Sequence, residues 1–266
     1  MSILICPVCG GALNSEKGCR KCENGHSFDV AKEGYVNLLI RSHKSGDTIG
    51  DSREMALSRH RFLERGAFSP LKSTIRDYVN RFDICGNMLD ICCGEGYYSS
   101  ALSGVGRDVY AFDLSKNMVR LAAKRSAAHC FVANISKIPI KSDSIDCAVH
   151  LFAPFHDGEF SRIMNSNGVL LTAVAGKRHL MGMKEVLYDH PYENDEQPPA
   201  APSFTVADKI TVRADITLTD REDIAALLNM TPYGVHSPAE GKRKLLALDR
   251  LDTLAEFVIF VMKKRI

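Results

Sequence analysis

Leu89-Asp90-Ile91-Cys92-Cys93-Gly94-Glu95-Gly96-Tyr97 is the stretch whose reading decides the fold. A short apolar run over 88–92 enters it as a strand, and 97–103 leaves it with a helical pattern. Gly94 and Gly96 let the backbone turn tightly and approach a ligand closely. Asp113 lies 23 positions beyond Asp90, at the end of the next apolar run, where an acid suits the two hydroxyls of a ribose. A nicotinamide-binding turn needs G-x-G-x-x-G, with a pyrophosphate on the helix N-terminus. Here the order is acid-x-x-x-G-x-G, with Glu95 inside the turn. Two acids at such a turn repel a pyrophosphate and suit a ligand bearing a sulfonium and an ammonium group.

Outward from this turn, strand and helix alternate. Strands are predicted over 88–92, 109–113, 129–133, 145–152 and 169–174, with helices over 97–103, 116–126 and 158–164. Residues 145–152 are apolar apart from Asp146 and His150, as a strand covered on both faces should be. This rhythm predicts an α/β fold with a mostly parallel, doubly wound sheet. Residues 192–202, acidic and proline-rich, read as a loop over the sheet. Late strands over 210–218 and 257–262, antiparallel, flank a helix over 220–228. Upstream, 52–64 and 71–82 carry helix-spaced apolar residues, and Pro70 suits a helix start. The polar stretch 41–50 reads as a linker.

The acid-glycine pattern resembles the first motif of class I S-adenosylmethionine methyltransferases, with Cys92 where that motif carries its first glycine. The resemblance implies a Rossmann-like domain over 73–266. Its cofactor, S-adenosylmethionine, would meet Asp90, Gly94, Glu95, Gly96 and Asp113. By position after the third strand, Ala133 and Asn134 reach toward the adenine.

Four of the nine cysteines fall between Cys6 and Cys22, in a stretch too poor in large apolar residues to build a core alone. Cys6-Pro7-Val8-Cys9 is half of a zinc knuckle, and Cys19, Cys22 and His26 offer the other half. Cys6, Cys9, Cys22 and His26, or Cys6, Cys9, Cys19 and Cys22, would each close a tetrahedral site. A closed site points to a structural or RNA-contacting module, here residues 1–39, joined through 40–72 to the main domain. An odd cysteine count at tight spacing argues against a disulfide framework. The chain has 266 residues, 45% hydrophobic, and a net charge of +2, which neither demands nor excludes nucleic acid. No apolar run is long enough to span a membrane, and the start is too short for a signal peptide, so a cytoplasmic protein without a membrane partner is expected.

End to end, the chain resembles the bacterial 23S ribosomal RNA guanine-N1 methyltransferases of the hairpin-35 family. The matching stretches include Cys6-Pro7-Val8-Cys9, Lys32-Glu33-Gly34-Tyr35-Val36-Asn37-Leu38-Leu39, Gly50-Asp51-Ser52-Arg53-Glu54-Met55, Arg178-His179-Leu180 and Met230-Thr231-Pro232-Tyr233. The resemblance implies a zinc set of Cys6, Cys9, Cys22 and His26. It also implies cofactor contacts at Glu95, Gly96, Asp113 and His179, and at Phe68, which lacks the family's hydroxyl. The implied substrate is N1 of a guanine in hairpin 35, and the implied assembly is a homodimer whose zinc modules help form an RNA cleft.

Guanine N1 must lose a proton to become a nucleophile, so a base is needed within hydrogen-bond reach. Asp51, Glu54, His150 and His156 are the candidates. Phe152 and Phe155 follow the fourth strand and offer rings for stacking the target base. Arg20, Lys21, Lys32, Arg41, Lys44, Arg53, Arg59 and Arg61 form the expected RNA footprint. Two rival readings share the cofactor turn: a small-molecule methyltransferase, and a non-catalytic RNA-binding protein on the same fold. The first leaves the cysteine module without a purpose, and the second leaves the intact turn without one.

Overall fold

The computed structural model describes residues 2–40 and 53–265, the side chain of Arg53 excepted. Strands β1 (Asn14–Glu16), β2 (Cys19–Lys21) and β3 (Ser27–Asp29) form a small antiparallel sheet, followed by β4 (Val36–Asn37). Two helices, α1 (Arg53–Glu64) and α2 (Ser69–Arg81), lead into the main domain. There β5 (Gly86–Ile91), β6 (Arg107–Asp113), α3 (Lys116–Arg125), β7 (His129–Val132), β8 (Ile145–Leu151), α4 (Asp157–Ile163) and β9 (Met164–Ala175) alternate. The chain ends through α5 (Met181–Leu187), β10 (Phe204–Leu218), α6 (Arg221–Asn229), α7 (Tyr233–His236), α8 (Ala239–Leu246) and β11 (Leu251–Lys264).

The main sheet has the order β10-β11-β9-β8-β5-β6-β7-β4. Strands β4 to β9 pair in parallel, and β11 lies antiparallel between β9 and β10. From β5 the chain winds outward through β6 and β7, then returns to β8 on the other side of β5. That reversal opens a crevice at the carboxyl ends of β5 and β8, where α/β sheets take their ligands. The turn after β5 lies there. This is the doubly wound sheet expected from residues 88–174, and the antiparallel pairing expected of the late strands is also present.

Both faces of the sheet are covered. On one, Leu71, Ile75 and Val79 of α2, spaced at successive helical turns, pack with Phe62, Phe68, Val149 and Phe257. On the other, Phe112, Phe131, Ile138 and Phe160 share one apolar cluster with Cys6, Leu13 and Cys22. The cysteine-rich segment is thus packed into the sheet's core, and β4 extends the sheet by pairing with β7. Among the described residues no helix is long and apolar enough to cross a membrane.

Three expectations need correction, and three helices lie outside any of them. Residues 97–103 form only a single 3-10 turn, Ser99–Ala101, because the Ser99 hydroxyl folds inward to donate to Asp90 at 2.7 Å. Met164 opens β9 rather than closing a helix. Strands β9, β10 and β11 run to 12, 15 and 14 residues, well beyond the apolar stretches that announced them. Helices α5, α7 and α8 had no recognised signal.

Candidate active site and metal centre

Cys92, Gly94 and Gly96 all take left-handed backbone, with φ of 55°, 55° and 80°. Cys92 therefore adopts, at a steric cost, the conformation that glycine would take freely. A Cβ on Gly96 would stand 2.9 Å from the Cα and Cβ of Ala122, so the turn is pressed against α3. Asp113 fastens it: one carboxylate oxygen accepts from Gly94 N–H at 3.0 Å, the other from Ser115 N–H at 2.8 Å. Asp90 is buried beneath, and burial pushes its carboxyl up to about 7, against the pull of the Ser99 hydrogen bond. Tyr98 has a buried hydroxyl without a hydrogen-bond partner among the described residues, within electrostatic reach of Arg59 and Asp90.

Glu95 is also buried. It accepts from His60 Nδ1–H at 2.6 Å and is ion-paired with Arg125, so the turn is tied to α1 and α3 at once. Burial raises the Glu95 pKa, and the charges of His60 and Arg59 oppose that rise. The Asn134 side-chain carbonyl accepts from the N–H and hydroxyl of Ser136, capping its own turn.

Beside the turn lies a cavity of about 360 Å³, walled by Phe68, Phe152, Tyr192, Pro232, Tyr233 and Phe257 among others, with Arg59 and His179 as its cationic and imidazole groups. Phe68 and His179 are neighbours, with ring centroids 5.9 Å apart. His179 Nδ1 accepts the N–H of Glu256 at 3.2 Å. Burial, helped by the Lys184 charge, lowers the His179 pKa to about 4, so the ring is neutral with its one proton on Nε2. Phe152 and Leu180, both in this wall, also have positive φ, 57° and 56°. Arg59 joins the cavity to the turn, its Cδ lying 3.9 Å from where a Gly94 Cβ would stand.

Among the base candidates, His150 has both ring nitrogens engaged. Its Nε2–H donates to Pro154 O at 3.2 Å, its Nδ1 accepts from the Thr172 hydroxyl at 2.8 Å, and burial lowers its pKa to about 4. His156 precedes α4, half-buried, and Glu54 is exposed on α1. Asp51 lies outside the described residues, as do Arg41 and Lys44. Of the remaining footprint, Lys21 and Lys32 are exposed, and Arg20 is half-buried against Ser15. Arg61 is committed elsewhere: its guanidinium meets Asp220, Glu222 and Asp223 of the α6 start, so its charge is balanced within the fold.

Cys6, Cys9, Cys22 and His26 bring their ligand atoms within 4.8 Å of one another. Cys9 Sγ and Cys22 Sγ are 3.6 Å apart, and Cys22 Sγ is 3.3 Å from His26 Nδ1. Sulfurs at the vertices of a tetrahedral zinc site stand about 3.8 Å apart, so the set fits that ion. Cys19, the alternative ligand, is on β2 outside this cluster. Residues that sequence reasoning missed are His60 and Arg125 at the turn and Tyr192 and Lys184 at the cavity. His60 and Arg125 act through Glu95, far away in the chain, and Lys184 and Tyr192 through each other across a loop, so no local motif marks them.

A family model described as "RlmA, N-terminal", a zinc ribbon, matches residues 4–46, and one described as "Methyltransferase domain" matches residues 88–170. The chain is 29% identical over 272 residues to a 23S rRNA (guanine(748)-N(1))-methyltransferase of Streptomyces fradiae, covering 97% of this chain and 95% of that one. It is 28% identical over 281 residues to a Bacillus subtilis (strain 168) protein provisionally named as a 23S rRNA (guanine-N(1)-)-methyltransferase, with 99% and 98% covered. A Micromonospora griseorubida protein of the same provisional name is 29% identical over 285 residues, with 96% and 95% covered. With the sheet order above, these matches identify a class I methyltransferase domain behind an N-terminal zinc ribbon.

Proposed function

We propose that this chain, a zinc-ribbon methyltransferase built like the 23S rRNA (guanine-N1)-methyltransferases, methylates N1 of a guanine in hairpin 35 of 23S ribosomal RNA. The observation that carries this reading is likeness along the whole chain, ribbon and sheet together, to relatives named for that reaction. A small-molecule methyltransferase needs the sheet but gives the ribbon no task.

S-adenosylmethionine, when bound, supplies a methyl group on a positively charged sulfur. The chain's own residues fit that group. Asp113 ends β6 where the ribose hydroxyls are expected, the Gly94–Gly96 backbone gives close approach, and Asp90, once ionised, sets a negative field for the cationic end. Tyr98 offers a buried hydroxyl that still needs a partner. Neutral His179, with its proton on Nε2, offers a donor without adding charge.

The aromatic cavity supplies the seat for the guanine. Its rings stack an extruded base and exclude water, and positioning against the donor then carries much of the rate of an in-line methyl transfer. Exposed Lys21 and Lys32 of the ribbon, with half-buried Arg20, contact RNA phosphate, and a second copy of the chain completes the cleft. The reaction belongs to the cytoplasm, where ribosomal RNA is. Transfer of labelled methyl to 23S RNA from cells lacking this enzyme, followed by a primer-extension stop at one guanine, tests the proposal. Silence on that RNA with transfer to a small acceptor refutes it.

A further inference from the structure

Lys184 on α5 is fully buried, and its ammonium donates to neutral oxygens rather than to a carboxylate. Its Nζ donates to Tyr192 O at 2.8 Å and to Asn194 Oδ1 at 2.6 Å. The same ammonium lies 4.2 Å from the Tyr192 ring centroid and 5.8 Å from that of Tyr233. An ammonium has three donors; two are spent on hydrogen bonds, and the aromatic faces surround the rest. Asn194 carries the grip onward: its Nδ2 donates to Gly176 O at 2.8 Å and its N–H to Lys177 O at 2.9 Å. Tyr192 and Tyr233, the rings so held, are walls of the aromatic cavity and come from segments about forty residues apart.

Burying an ammonium without a counter-charge is costly, and an apolar side chain of equal length would pack there more cheaply. What the ammonium adds that an apolar chain would not is its hold on Tyr192 and Asn194. We propose that Lys184 is a positioning residue that clamps residues 192–194 and Tyr233 into the outer wall of the guanine-binding cavity. It touches no reacting atom; it sets the spacing of the rings that receive the base. This rests on the cavity being the seat of the guanine.

The test uses the full-length, zinc-loaded chain carrying Lys184→Met, which keeps the volume and removes the charge. Cofactor affinity by calorimetry should change less than RNA turnover, because Lys184 reaches the proposed cofactor contacts only through its charge on neighbouring His179. Methyl transfer to 23S RNA should lose ~10–100-fold in kcat/KM, the scale of a misplaced substrate. Hydrogen exchange over 189–196 should accelerate while the sheet strands keep their protection. Asn194→Ala, which keeps the Lys184 charge and removes one of its two hydrogen bonds, should reproduce both effects more weakly and decides the matter if Lys184→Met does not fold. Unchanged exchange over 189–196 and unchanged RNA kinetics would overturn the clamp. A wild-type chain inert on RNA would overturn the guanine seat instead, and the exchange rates would still report whether Lys184 orders the wall.

Discussion

Asp90 shows how one buried side chain can couple the cofactor site to pH. Burial lifts its carboxyl from 3.8 to about 7. The folded chain thus keeps a proton that the unfolded chain has already lost, so this group's contribution to stability falls as pH rises from about 4 to about 7. A cationic cofactor beside that carboxyl favours the ionised form. Binding below about pH 7 should therefore release a proton, and S-adenosylmethionine should bind more tightly as pH rises from about 6 to about 8. Asp90→Asn should bind more weakly at the higher pH and lose this dependence. Calorimetry in two buffers of unlike ionisation enthalpy counts the proton; a wild-type affinity indifferent to pH would end the argument. At the ribbon, the geometry separates two cysteines three residues apart. Cys22→Ser removes a ligand atom that lies with Cys6, Cys9 and His26, whereas Cys19→Ser alters a thiol outside the cluster. Zinc content measured by atomic emission should drop for Cys22→Ser and stay near one per chain for Cys19→Ser; loss in both would put Cys19 back among the ligands.

Helix α1 is an element whose purpose depends on what holds it. One flank places Arg59 and His60 against the cofactor turn, and another is fastened to α6 by Arg61, with Arg65 joining just past its end. Both guanidiniums reach Asp223, which is buried, at 2.9 Å. The arginines themselves are well exposed, so solvent screens part of the gain. Asp223→Ala should cost about 1–3 kcal/mol in urea unfolding and, by loosening α1, weaken cofactor binding as well. Stability lost with cofactor affinity intact would show that α1 does not organise the turn. The elements also show where sequence periodicity carries information and where it does not. Strands β5 to β8, covered on both faces, announce themselves as apolar runs, and the turn after β5 is legible because only glycine-like backbone and acids serve there. The 3-10 turn at Ser99–Ala101 was not legible, since a hydrogen bond to Asp90 overrides the helical pattern. Nor was the cavity, because its walls come from α1, the residue before α2, the residue after β8, the middle of β11, the start of α5, Tyr192 and residues 230–233. Those pieces meet only when Lys184 and Phe257 bring them together.

For the molecule as a whole, the question is whether ribbon and sheet melt as one body. The ribbon has no adequate core of its own, and two of its ligands, Cys6 and Cys22, pack in the cluster that holds Phe112, Phe131 and Phe160. Further ties cross the same boundary: β4 pairs with β7, Ile5 N–H donates to Pro139 O at 3.0 Å, and Arg120 meets Glu33 at 2.8 Å. Removing the metal should frustrate this shared core, because three thiols and an imidazole are then left to repel or protonate where a tetrahedral ion would hold them. Scanning calorimetry of the full chain should therefore show one transition with zinc and one, at lower temperature, after chelation. The shift should be at least several degrees, the scale of about 2 kcal/mol in a chain of this size. Re-addition of zinc should restore it. A second, low-temperature transition with the main one unmoved would mean instead that the ribbon folds and unfolds by itself. The contacts between Leu4 and Ile140 and between β4 and β7 would then be too weak to transmit its state to the cofactor crevice.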